Sequence, residues 1–181
     1  VLFIVGRGSA EAELAVADTR TGTHRRLGIN GVTVRYASGY LVFVTADGPE
    51  GAGLYRLSDP NRDGTLEEAK LIVKFKGTMG EHGPHAVTIG PDGLLYVMLG
   101  NLTAVDGTID DASPHRNFYE GDIVPRYEDP GGHALGVKAP GGVVVRTDTN
   151  GSVVQLFAGG IRNAYDMVFT RDGELFTHDS D

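Results

Sequence analysis

"AVTIGPDGLLYVM" (residues 86–98) carries alternating apolar residues up to Gly90, a Pro-Asp-Gly turn, and a second apolar run. Pro-Asp-Gly supplies a pre-set φ and a residue tolerant of positive φ, so the stretch predicts a β-hairpin. Two other stretches share the layout: "VTVRYASGYLVFV" from Val32 and "YDMVFTRDGELFT" from Tyr165. Their starts are 54 and 79 residues apart, against about 40–50 for a four-stranded propeller blade. The longer spacing predicts an insertion, visible at 101–137 as a segment rich in Asp, Gly and Pro that contains His115, Tyr119 and His133.

Further strand-like runs lie between the hairpins. "GLYRLSD" and "AKLIVKFKG" follow the first; "GGVVVRTDT" and "VVQLFAGG", joined by Asn150-Gly151, follow the second. "VLFIVGRG", "ELAVADT" and "THRRLGI" precede Val32. The expectation is therefore all-β, a partial β-propeller: a partial blade over 1–31, a blade over 32–79, a blade over 86–160 with the insertion, and a partial blade over 165–181. Closed propellers have about 4–8 blades, so this arc reads as a fragment of a longer protein, completed by further blades or a second chain. A small antiparallel sandwich is the alternative.

Composition narrows the chemistry. The net charge is −8, from 16 Lys and Arg against 24 Asp and Glu, with no basic cluster to meet a phosphate backbone, so nucleic acid is not expected. Apolar runs such as "GLLYVML" fall short of the roughly 20 residues of a membrane span. The absence of cysteine excludes thiolate catalysis, Cys-ligated zinc and a Cys-x-x-Cys-His haem attachment in this segment.

Polar residues gather where strands begin. Glu81, His82 and His85 introduce the hairpin at Ala86, and Arg162 and Asn163 introduce the one at Tyr165. In a propeller such loops open at the mouth of the central channel, where ligands bind. Histidine can take a proton from a hydroxyl, and a neighbouring carboxylate raises its basicity. Arg162 offers a fork of donors for a carboxylate or a quinone oxygen, and Asn163 both donates and accepts. Equally, the histidines can bond local carbonyls and Arg162 can pair with one of the surplus acids. Asp179 and Asp181 put two carboxylates on one strand face, suited to calcium or to solvent. "DPNRDGTLEE" from Asp59 opens like a calcium loop, but its twelfth position is Lys70, and a polar hairpin turn is the expected reading. Asn101-Leu102-Thr103 and Asn150-Gly151-Ser152 match the short glycosylation sequon.

"EHGPHAVTIGPDGLLYVMLGN" and "LFAGGIRNAYDMVFTRDGELFTHDSD" together resemble the soluble, pyrroloquinoline-quinone (PQQ)-dependent sugar dehydrogenase superfamily of six-bladed propellers. The nearer branch is that of large secreted multidomain proteins labelled membrane-bound dehydrogenase domains, which carry a separate haem-binding domain. The likeness runs from about Gly53 to Asp181; residues 1–57 look more like blades of TolB-type propellers. It implies His82 as general base before the "GPDGxLYVxxGD" pattern, and Arg162 and Asn163 on the quinone through "GxRNPxG". Glu81 and His85 would stand near the substrate, and Asp179-Ser180-Asp181 stands where the family has Glu-His-Gly. The implied function is oxidation of a sugar or alcohol in the periplasm or outside the cell, with PQQ and calcium as cofactors. The chain carries Gly100-Asn101 in place of the family's Gly-Asp, and Ala164-Tyr165-Asp166 in place of Pro-Gln-Gly. The alternative is a non-catalytic propeller binding carbohydrate or a protein partner. On either reading this segment alone is expected to be inactive.

Overall fold

A computed structural model describes the chain. It gives backbone alone for 2–5, 13–17, 24–37 and 41–42, and backbone with side chains for 43–63, 66–77, 79–116 and 140–179. Tyr119, His133 and Asp181 lie outside the described residues.

The described residues form thirteen strands and no helix. β1 (Leu2–Val5), β2 (Glu13–Ala17), β3 (His24–Ala37), β4 (Leu41–Gly48), β5 (Gly51–Ser58) and β6 (Glu68–Gly77) make an antiparallel meander. Its far edge is extended by β9 (Thr103–Val105). β7 (Pro84–Ile89), β8 (Leu95–Leu99), β10 (Gly142–Thr147) and β11 (Val154–Ile161) form a second sheet in the order β11-β10-β8-β7. β12 (Met167–Phe169) and β13 (Leu175–Thr177) pair as a third. None of these sheets closes on itself among the described residues.

The repeated sequence is a repeated structure. In the β7–β8 turn, Gly93 N–H donates to Gly90 O (2.9 Å) and Gly90 N–H to Leu94 O (2.8 Å). In the β12–β13 turn, Gly173 N–H donates to Thr170 O (3.1 Å) and Thr170 N–H to Glu174 O (2.9 Å). Gly93 and Gly173 both have positive φ, 78° and 90°, a conformation that glycine adopts without a Cβ clash. Asp92 fixes the first turn further, accepting from Leu94 N–H and Tyr96 Oη.

β8 is buried along its whole length. Leu95, Val97 and Leu99 pack against Phe43, Leu54, Val73 and Phe75 of the first sheet. Tyr96 and Met98 face the other way, onto Val144, Ala164 and Met167. Tyr96 meets Phe157 and Phe169 edge-on, at centroid distances of 5.0 and 4.9 Å. Each such side chain contributes about 1.5–3 kcal/mol on leaving water, so the second sheet is held from both faces. Beyond it, Val168 and Phe176 are register partners on β12 and β13 and remain 62 % and 58 % exposed.

One feature differs from the sequence reading. "THRRLGI" and "VTVRY" are one strand, so β3 crosses the boundary expected at residues 31–32. The register shift between Asn30 and Thr33 absorbs the Asn-Gly step as a bulge, which leaves the ladder continuous. The described part of the insertion, residues 101–116, runs along outer strands. β9 pairs with β6, and Asp110 and His115 N–H groups bond to Val154 O and Leu156 O of β11. It covers edges that would otherwise expose unpaired backbone; residues 117–139 lie outside the described residues. The segment from Asp59 is a polar hairpin loop joining β5 to β6, with Asp63 N–H bonded to Asp59 Oδ1 (3.2 Å) and Asn61 Oδ1 (2.9 Å).

Candidate functional site

The turn before β7 is tight: Gly83 N–H donates to Gly80 O (2.9 Å), and His82 takes a φ of 58°. The left-handed region is costly for a residue with a Cβ and persists only where neighbours impose it. The end of β8 provides that constraint. Gly100 N–H bonds to Gly83 O (2.8 Å) and Leu102 N–H to His82 O (3.3 Å). A Cβ on Gly100 would stand 2.7 Å from His82 Cα and closer to its carbonyl, so only glycine lets the two segments meet.

His82 is thereby turned inward, 1 % exposed, with Nδ1 2.5 Å from Asn101 Oδ1. An amide oxygen only accepts, so Nδ1 carries the proton and the ring's lone pair lies on Nε2. Glu81 Oε1 is 4.0 Å from that Nε2, on a side chain 70 % exposed. Asn101 is also the bridge to the second segment, its N–H donating to Arg162 O (2.9 Å).

The second segment is fixed from β13's far end. Asp179 Oδ2 accepts Arg162 N–H and Oδ1 accepts Asn163 N–H, both at 2.7 Å, a short, charge-assisted pair. Asn163 is buried, with Oδ1 2.8 Å from His85 Nε2, which makes the His85 proton an Nε2–H. His85 is also buried, and its backbone carbonyl accepts Thr45 Oγ1 of β4 (3.0 Å). Burial holds the His85 pKa below the ordinary imidazole value; the Asn163 bond opposes this and the neighbouring His82 adds to it. Tyr165 stacks on the His85 ring, centroids 4.1 Å apart and planes 30° apart.

Five of the residues singled out from the sequence thus form one hydrogen-bonded cluster: His82, His85, Arg162, Asn163 and Asp179. Glu81 stands at its rim, and Asp181 is outside the described residues. Two members were not singled out. Asn101 read as part of a sequon; its side chain is engaged with His82 and Thr103 is buried, so the sequon is folded into the site. Tyr165 carried no signal beyond its departure from the family pattern.

The fit to the implied cofactors is uneven. The half-buried Arg162 offers donors suited to the carboxylates of a quinone, while Asn163 is turned onto His85. Calcium takes 6–8 oxygen ligands. Among the described residues no group of three or more His, Asp or Glu converges, and both Asp179 oxygens accept backbone N–H groups, while Asp181 lies outside the described residues. On another side of Asn101 lies a cavity of about 580 Å3, walled by Leu102, Val105, Ile109, Val143 and Leu156 with Lys76 as its cation. No helix among the described residues is long and apolar enough to cross a membrane.

No known protein family, curated protein or solved structure matches the chain.

Proposed function

We propose that the chain is an arc of a β-propeller whose strand-entrance loops carry a quinone-dependent sugar or alcohol dehydrogenase-type site, exported to the periplasm or the cell exterior. One observation supports this most: the residues that the resemblance assigns to base and quinone, His82, Arg162 and Asn163, are joined through Asn101 and His85 although they come from separate segments. The propeller reading draws on the sheets themselves. Consecutive sheets pack face to face, and the exposed face of Val168 and Phe176 leaves room for another.

In this reading His82, its proton held at Nδ1 by Asn101, accepts a hydroxyl proton at Nε2. Arg162 binds and orients an anionic group beside it. A bound quinone would supply the two-electron acceptor. Calcium would take Asp179 together with further oxygen ligands. Further blades or a second chain would complete the walls, and the isolated chain is predicted to be inactive.

Calorimetric titration of PQQ into the full-length chain tests the reading, with Arg162→Ala and His82→Ala beside the wild type. Binding that weakens at least tenfold in Arg162→Ala supports it; equal binding by both variants, or none by the wild type, contradicts it. The second reading, a propeller that binds carbohydrate without oxidising it, is favoured by the 1 % exposure of His82. A base must come within hydrogen-bond reach of its proton, so the Glu81 loop has to open before His82 acts.

A further inference from the structure

Tyr165 is the outermost member of a supported stack. Its ring lies 4.1 Å from the buried His85 ring, yet the residue is 60 % exposed, so one face is packed and the other is open to solvent. The support beneath is continuous: His85 Nε2 donates to Asn163 Oδ1, and Asn163 N–H donates to Asp179 Oδ1. An exposed large aromatic on a soluble surface loses water-ordering cost when covered. One already fixed in place gives up little side-chain entropy on binding. Arg162 and Asp166, within three residues of Tyr165 in the chain, and Glu81, four residues before His85, are charged hydrogen-bonding groups carried by the same two strand entrances.

We infer that Tyr165 is a stacking platform for the ring of a pyranose sugar. The axial C–H face of a pyranose is apolar and weakly electropositive, which suits the negative face of an aromatic ring. Its equatorial hydroxyls radiate from the edge of the ring and take hydrogen bonds from charged and polar groups on the surrounding loops. An acyclic polyol has no such flat face, so Tyr165 selects a cyclic sugar over an open-chain alcohol. The inference rests on this end of the molecule being the ligand site, whether or not the sugar is oxidised there.

Saturation-transfer NMR on the full chain, without quinone, tests it with methyl β-D-glucopyranoside and sorbitol at about 10 mM, a range that reports millimolar affinities. The glucoside should receive saturation chiefly at H1, H3 and H5, and sorbitol little. Tyr165→Ala should lose the glucoside signal about tenfold, and Tyr165→Phe should keep it. Tyr165 is exposed, so neither change endangers the core. Equal transfer to both compounds, an unchanged Tyr165→Ala, or no transfer to the wild type overturns the inference. Because no quinone is present, these outcomes are independent of the PQQ titration: failure there with success here leaves a sugar-binding, non-oxidising site.

Discussion

His85 and Asn163 are 78 positions apart in the chain, yet Nε2 of one lies 2.8 Å from Oδ1 of the other with both residues buried. The bond ties the entrance of β7 to the entrance of β12, and the order of everything around it depends on residues that support it from outside.

Asp179 is the first such residue. Replacing it with Ala removes the acceptor of two consecutive N–H groups, each charge-assisted bond being worth about 1.5–3 kcal/mol at most. Asp179→Ala should lower stability by about 2 kcal/mol and abolish hydrogen-exchange protection at the Arg162 and Asn163 amides, with Asp179→Asn partly restoring it. Unchanged protection at those amides would contradict the role.

His85 sets a pH dependence with a definite sign. Its folded pKa is lowered, so the unfolded chain binds the proton more readily, and stability rises with pH wherever the two states differ. The contribution is fully present above the unfolded value of about 6.5 and is lost as pH falls below it toward the lowered folded value. An NMR titration of the His85 ring should give a pKa under 6.5, and His85→Gln should flatten the acid limb of the stability curve. A raised pKa would reverse the assignment.

Gly100 is where backbone meets backbone. A methyl group there collides with main-chain atoms of His82, which cannot rotate away, so Gly100→Ala should cost about 2–3 kcal/mol and disturb the His82 resonances. Gly107, whose added Cβ would meet nothing within 4 Å, is the control, and Gly107→Ala should stay within about 0.5 kcal/mol. Equal effects in thermal unfolding would refute the contact.

Much of this was legible in the chain because its signals are local. Pro91-Asp92-Gly93 and Arg171-Asp172-Gly173 sit between period-two apolar runs, so both hairpins follow from neighbours within a dozen residues. His82, His85, Arg162 and Asn163 stood out because they introduce those hairpins. What was not legible depends on distant pairing. Nothing local distinguishes the Asn30-Gly31 bulge inside β3 from a turn, and β9 forms only because β6 offers an edge. Asp179 stood out through its carboxylate spacing with Asp181, whereas the backbone N–H groups that it accepts leave no trace in the sequence. Asn101 reaches His82 across a complete hairpin, and its role appears only when β7 and β8 are paired.

The central claim, that two distant strand entrances build one ligand site around two oppositely oriented histidines, is tested most directly by the imidazole nitrogen spectrum of the full chain, recorded with and without PQQ. The account predicts a neutral Nδ1–H form for His82 and a neutral Nε2–H form for His85, with both sets of resonances shifting together on addition of the quinone. The same tautomer in both rings, or resonances that ignore the quinone, would contradict it.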